Sequence, residues 1–101
     1  MPIEISEYQF AGPYTSISDL QRKAGVYVIL CRRTDGKYYV IDVGQAINVK
    51  ERIENHNRKS CWTRNCDGTL SVAVFYTQYE SERTRIEKII RNTYNPPCGD
   101  R

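Results

Sequence analysis

The run Gly25-Val26-Tyr27-Val28-Ile29-Leu30 and its sequel Tyr38-Tyr39-Val40-Ile41-Asp42-Val43, joined across Asp35-Gly36, constrain this chain more than any other feature. A short, unbroken run of β-branched, aromatic and aliphatic side chains suits a strand covered on both faces, and such a strand is central in its sheet. Asp35 and Gly36 both tolerate positive φ, so they predict a two-residue hairpin turn with Lys37 to Val43 returning antiparallel. Counting outward from that turn, Leu30 faces Ile41, Ile29 faces Asp42, Val28 faces Val43 and Tyr27 faces Gly44. Directly opposed residues share a face, so Tyr27, Ile29, Asp42 and Gly44 project to one side. A carboxylate therefore interrupts an apolar strand beside a tyrosine, and Gly44 leaves space next to the Tyr27 ring.

The remaining elements follow from periodicity. The first 23 residues contain Gly12-Pro13 and the polar segment Ser16-Ile17-Ser18-Asp19, and read as an irregular N-terminal extension packing on a domain over 24–101. Ser18 is placed to cap a short turn reaching Lys23. Asn48 caps a helix with Glu51 at its third position, and Val49 and Ile53 on one face, to about Arg58. A loop with Cys61, Trp62 and Cys66 precedes a third strand, Leu70 to Thr77. Ser81 is expected to cap a second long helix carrying Ile86, Ile89, Ile90, Thr93 and Tyr94, which must stop near Asn95 because Pro96 and Pro97 follow. The expected fold is α+β, a three-stranded antiparallel sheet flanked by helices in the order β-β-α-β-α.

Composition narrows the setting. With 101 residues, of which 40% are hydrophobic, the chain suits one modest core. No run reaches the length a membrane span needs and the N-terminus lacks a signal peptide's pattern, so a cytoplasmic location is expected, with no membrane partner. The four cysteines form no CxxC pair. Reduced, buried thiols are the expected state, with a zinc site drawn from His56, Cys61, Cys66 and Cys98 as a minor alternative, because the intervals miss the short ligand spacings of structural zinc. A net charge of +3 permits nucleic-acid contact without arguing for it.

Gly25-Val26-Tyr27, then Val43-Gly44, then Ala46 to Arg52 with Asn48 four positions before Arg52, then Glu87 on the second long helix, and finally Tyr94-Asn95-Pro96, stand in an order that resembles the GIY-YIG nuclease domains, small metal-dependent DNA-cleaving modules. The likeness covers residues 24 to 98. It implies a metal-dependent endonuclease in which Tyr27 is the general base toward water, Arg52 clamps the phosphate, and Glu87 holds one Mg²⁺ or Mn²⁺ with waters completing the shell. His56 assists proton transfer or orients the nucleophile. It also implies DNA as partner, with a protein partner or a homodimer supplying target choice.

Elementary geometry is compatible with those roles. Arg52 and His56, four apart, share a helix face; one carboxylate plus waters is ordinary for Mg²⁺; and an imidazole titrates near neutrality. Arg32, Arg33, Lys37, Lys50, Arg58, Lys59 and Arg64 gather near the hairpin and first helix, where phosphates are contacted, and Asn95 joins them by resemblance. Blander readings stand beside these. Tyr27 is an ordinary packing residue, Arg52 and His56 a solvated face, and Glu87 an ion-pair partner of Arg83 and Arg91 one turn away on either side.

The chain departs from the family at Asp42, which occupies the place of the leading tyrosine of the second motif. Two outcomes are open. Either the domain binds nucleic acid or protein without cutting, or Asp42 takes part in the site by accepting the Tyr27 hydroxyl or adding an oxygen to the metal.

Overall fold

The computed structural model describes residues 2–99. It contains strands β1 (Pro2–Ile5), β2 (Tyr8–Tyr14), β3 (Gly25–Arg32), β4 (Tyr38–Ala46) and β5 (Thr69–Tyr76), and helices α1 (Val49–Glu54), α2 (Lys59–Arg64) and α3 (Glu80–Tyr94). The strands form a single antiparallel sheet in the order β1-β2-β5-β3-β4. The sheet is therefore five-stranded, which corrects the three-stranded expectation and the β-β-α-β-α order. The two extra strands come from the segment read as irregular. Gly12-Pro13 looks like a breaker, but the register between β2 and β5 shifts between Ala11 and Tyr14, so Pro13, which has no N–H to offer, sits where the ladder is interrupted.

β3 lies between β5 and β4, and all its residues from Gly25 to Cys31 are buried. Its side chains alternate between two cores. Tyr27, Ile29 and Cys31 join Leu20, Val49, Ile53 and Trp62 on one face, whereas Val26, Val28 and Leu30 join Phe10, Val43, Ile86 and Ile90 on the other. So α1 and α2 cover the Tyr27 face, and α3 covers the opposite face through Ile86 and Ile90, four apart on one stripe.

The hairpin differs from its predicted form in two ways that cancel. Arg33 N–H donates to Lys37 O and Gly36 N–H to Arg33 O, so the loop has three residues, with Gly36 at φ +80° as such loops require. That moves Leu30 opposite Val40 rather than Ile41. A bulge between Ile29 and Leu30 then absorbs one residue, and Ile29↔Asp42, Val28↔Val43 and Tyr27↔Gly44 pair as expected.

Helix boundaries also shift. Asn48 does cap α1 by accepting Glu51 N–H at 3.1 Å, but the helix ends at Glu54, and the expected loop around Trp62 is the short helix α2. His56 therefore lies beyond α1, in the turn leading to α2, and does not share a helix with Arg52. The N-terminal turn, Ile17–Asp19, is capped by Ser16 rather than Ser18. α3 begins at Glu80 rather than after Ser81, steadied by Thr77, whose hydroxyl meets Glu82 at 2.6 Å, and it ends at Asn95 in the left-handed conformation.

The cysteines are all paired, Cys31 with Cys66 and Cys61 with Cys98, at Cα separations of 5.6 and 6.0 Å. This corrects the expectation of free thiols and removes the zinc alternative, since a disulfide sulfur is not a thiolate ligand. The absence of CxxC carried no information about partners 35 and 37 positions apart. Together the bridges tie α2 to β3 and to the C-terminal segment. No helix among the described residues is long and apolar enough to cross a membrane.

Loops of this length give a disulfide about 3 to 4 kcal/mol through loss of unfolded-chain freedom. Replacing either pair by serine should lower the urea midpoint accordingly, as should reduction of the wild type. Unchanged midpoints under reductant, or four alkylatable thiols in the folded protein, would contradict the pairing.

Candidate active site

The Tyr27 ring, 2% exposed, lies across Gly44, where an added Cβ would collide with its hydroxyl and ring carbons. Opposed pairing brings the two backbones together, and only glycine leaves room for the ring. The hydroxyl lies 2.7 Å from His56 Nε2. The other imidazole nitrogen, Nδ1, accepts the backbone N–H of Arg58 at 3.1 Å. A backbone N–H can only donate, so Nδ1 is unprotonated and a neutral ring carries its proton on Nε2. His56 therefore donates to Tyr27 Oη.

The electrostatics agree. Burial, then the positive charges of Arg52 and Arg58, lower the His56 pKa to about 4, so the ring is neutral near pH 7. Burial raises the Tyr27 pKa, with Arg52 the strongest influence in the opposite direction. Arg52 is thus electrostatically coupled to both rings. Its guanidinium donates to Asn57 Oδ1 at 3.1 Å and pairs with no carboxylate among the described residues.

Asp42 lies on the Tyr27 face, fully buried at 0% exposure. It does not meet the Tyr27 hydroxyl. Its Oδ1 accepts Val43 N–H at 2.8 Å, Arg91 Nη2 at 3.2 Å and Arg58 Nη2 at 3.4 Å, and its Oδ2 accepts Arg58 Nε and Trp62 Nε1, each at 2.8 Å. With both oxygens committed to these donors, neither of the two direct roles weighed for this carboxylate matches its surroundings.

α3 packs on the opposite face but reaches the site around β4, the edge strand. Arg83 Nε donates to Gln45 Oε1 at 2.8 Å, and Arg91 donates to Asp42 and to Val43 O. Glu87 is one helical turn from each and so lies between these two anchors along α3, and its charge acts on Tyr27, raising that pKa. The two arginines are engaged with β4 and its neighbours rather than with Glu87, which removes the simple ion-pair reading. Among the described residues the Glu87 carboxylate has no hydrogen-bond or salt-bridge partner. Burial nonetheless raises its pKa, against the opposing charge of Arg91. A half-buried, unpartnered carboxylate suits a hard divalent cation that takes one protein oxygen and keeps its waters. No group of three or more acidic, His or Cys ligands occurs among the described residues.

The other nominated residues are dispersed. Arg32 and Lys37 are exposed at the far end of the hairpin, where Arg32 is about 17 Å along β3 from Tyr27. Arg33 lies 3.6 Å from Asp67 and over the Tyr39 ring. Lys59 Nζ donates to Glu54 O at 2.8 Å, Lys50 is half-buried on α1, and Arg58 is drawn inward to Asp42. Asn95 is exposed at the end of α3, away from Tyr27 by two turns beyond Glu87. Trp62, Arg83 and Arg91 were not foreseen as site residues. For the arginines a signal existed, their spacing of one turn on either side of Glu87; Trp62 gave none.

A family profile described as the GIY-YIG catalytic domain matches residues 23–99, most of the chain. The chain belongs to the GIY-YIG family. The fold is thus of the nuclease type, and Tyr27, Gly44, Arg52, His56 and Glu87 all fall within the matched region. A comparison with curated proteins gives no significant match.

Two stability measurements test the electrostatics of this GIY-YIG domain. His56 has a folded-state pKa near 4 against 6.5 for a free imidazole, so the unfolded chain takes up the proton first as pH falls. Its contribution is complete above pH 6.5 and is lost toward pH 4, on the order of 3 kcal/mol. His56→Gln should flatten the unfolding free energy over that window; an unaltered slope would contradict the burial of a neutral ring. Glu87 has the opposite sign. Its raised pKa means that ionisation costs stability as pH rises above the carboxylate range. Glu87→Gln should raise the Tm of metal-free protein at neutral pH, whereas a lower Tm would indicate an ion-paired structural residue.

Proposed function

We propose that this GIY-YIG domain is a metal-dependent endonuclease hydrolysing DNA phosphodiester bonds. The reading rests on a hydrogen-bonded Tyr27–His56 pair, on Arg52, whose charge acts on both rings and which pairs with no carboxylate among the described residues, and on Glu87, whose carboxylate has no partner among the described residues and whose charge acts on Tyr27.

Glu87 would hold one Mg²⁺ or Mn²⁺, which when bound supplies positive charge for the phosphate oxygens and eases deprotonation of neighbouring O–H groups. Arg52 binds the phosphate and offsets charge that grows on its oxygens during attack. Tyr27 is the general base. Burial favours the neutral phenol, which is not a base, so its proton must leave to solvent water before attack, His56 Nε2 being already protonated, and Arg52 and Arg58 favour that loss. His56 Nε2–H then holds the phenolate oxygen in place by donating to it. Water attacks phosphorus, its proton passes to Tyr27 Oη, and the bond to the departing oxygen breaks, that oxygen taking a proton from solvent. Asp42 takes no proton in this scheme. Lys50, Lys59, Arg32, Arg33, Lys37 and Asn95 are offered as backbone contacts along the duplex. The two disulfides weigh against the cytoplasmic location expected from sequence and toward an oxidising compartment.

Supercoiled-plasmid nicking with Mg²⁺ or Mn²⁺ tests the proposal. Wild type should nick, and Glu87→Ala, Arg52→Ala and Tyr27→Phe should each lower the rate by about 100-fold or more. Nicking that survives all three substitutions would identify a contaminant. DNA binding with no cleavage by the wild type would favour a catalytically silent binding module.

A further inference from the structure

Asp42 touches neither the Tyr27 hydroxyl nor Arg52, yet both groups that fix the His56 ring are themselves fixed by Asp42. Arg58 supplies the N–H on His56 Nδ1, and its guanidinium is bound by both Asp42 oxygens. Trp62 packs on the imidazole at 4.5 Å between centroids, and its Nε1–H donates to Asp42 Oδ2. Arg58 caps the start of α2 and Trp62 lies one turn further, joined by Trp62 N–H to Arg58 O at 3.0 Å, so a single carboxylate grips the first turn of that helix at two points. A turn between α1 and α2 holds His56, and among the described residues the Arg58 N–H is the hydrogen-bond partner of its Nδ1.

We infer that Asp42 is a positioning residue for the proposed cleavage, holding Arg58 and Trp62 so that the His56 ring keeps its proton on Nε2 and directs it at Tyr27 Oη. The inference rests on the nuclease reading for its effect on rate, but not for its effect on the ring. A nitrogen on which a backbone N–H is held cannot carry a proton, so an Asp42-anchored Arg58 excludes the Nδ1–H form. Without the anchor, α2's first turn can move away from the ring, Nδ1 becomes free to take a proton, and Nε2 then accepts from the Tyr27 hydroxyl instead of donating to it. The polarity of the Tyr27–His56 hydrogen bond is thus set by a carboxylate that is hydrogen-bonded to neither partner. Partners that orient a metal-bound histidine are worth about 10- to 100-fold in activity, and an effect of the same order is expected where the oriented ring holds a catalytic tyrosine.

The test is a long-range ¹H–¹⁵N correlation spectrum of uniformly labelled, tag-free protein, in which one imidazole is visible because the chain has a single histidine. Near pH 7 the wild type should show protonated Nε2 and bare Nδ1. Asp42→Asn should give a mixture of tautomers, with kcat for DNA cleavage about 10- to 100-fold lower and KM changed by less than about threefold. Arg58→Gln, which leaves Arg91 and Trp62 on Asp42, should behave alike and serves if Asp42→Asn does not fold. An Nδ1–H ring in the wild type overturns the inference, as does a ring that stays purely Nε2–H in a folded variant. If the wild type cleaves nothing, the nuclease reading fails while the spectrum still decides the positioning role.

Discussion

A buried carboxylate that must be satisfied governs this structure. Asp42 is withdrawn from water, and an unpaired carboxylate there would be costly enough to exclude the fold. Its five hydrogen bonds come from its own strand, from the cap and first turn of α2, and from α3. The same Arg91 that answers Asp42 also donates to Cys98 O, and Cys98 N–H donates to Ile41 O, so the C-terminal segment closes over the ion pair. Breaking such a network by removing one charge costs about 3 to 5 kcal/mol, because the remaining charges stay buried. A residue whose removal would be so disruptive is a structural joint.

The joint explains how chemistry assembled from two faces of one sheet comes together. Tyr27 and His56 belong to the layer under α1 and α2, while α3 packs on the opposite layer. α3 is joined to the first layer around the edge strand β4. Arg83 and Arg91 clasp that edge at Gln45 and Val43, and the helical spacing leaves Glu87 between them with no hydrogen-bond partner among the described residues. Among the described residues the arginines and Asp42 answer one another, whereas Arg52 and Glu87 have no ion-pair partner, and the proposed function gives these two a phosphate and a cation.

What the sequence revealed follows the range of the interactions involved. The β3–β4 register at Tyr27, Ile29 and Asp42 was legible because a local hairpin fixes it, even though the loop and the bulge were each misjudged by one residue in opposite senses. Asn48 was legible as a helix start because capping is local, and the end near Asn95 because Pro96 and Pro97 follow it directly. The β1–β2 hairpin was obscured by Gly12-Pro13, whose effect depends on whether the neighbouring strand needs a hydrogen bond there. The disulfides and the side-chain partners of Asp42 join residues between 16 and 49 positions apart, and no spacing rule covers them. Tyr27, Arg52, His56 and Glu87 came from motif order, and the structure brings Tyr27 and His56 into contact for a different reason than the helical spacing invoked, since His56 lies outside α1.

The central claim is that Glu87, Arg52 and the Tyr27–His56 pair act on one phosphate. Anomalous diffraction from crystals of the protein with Mn²⁺ and a cleavage-resistant DNA duplex tests it most directly. The account predicts one manganese peak on the Glu87 carboxylate, with a phosphate held by Arg52 and facing Tyr27 Oη. Manganese bound elsewhere, or DNA seated with its phosphates away from these four side chains, would contradict it.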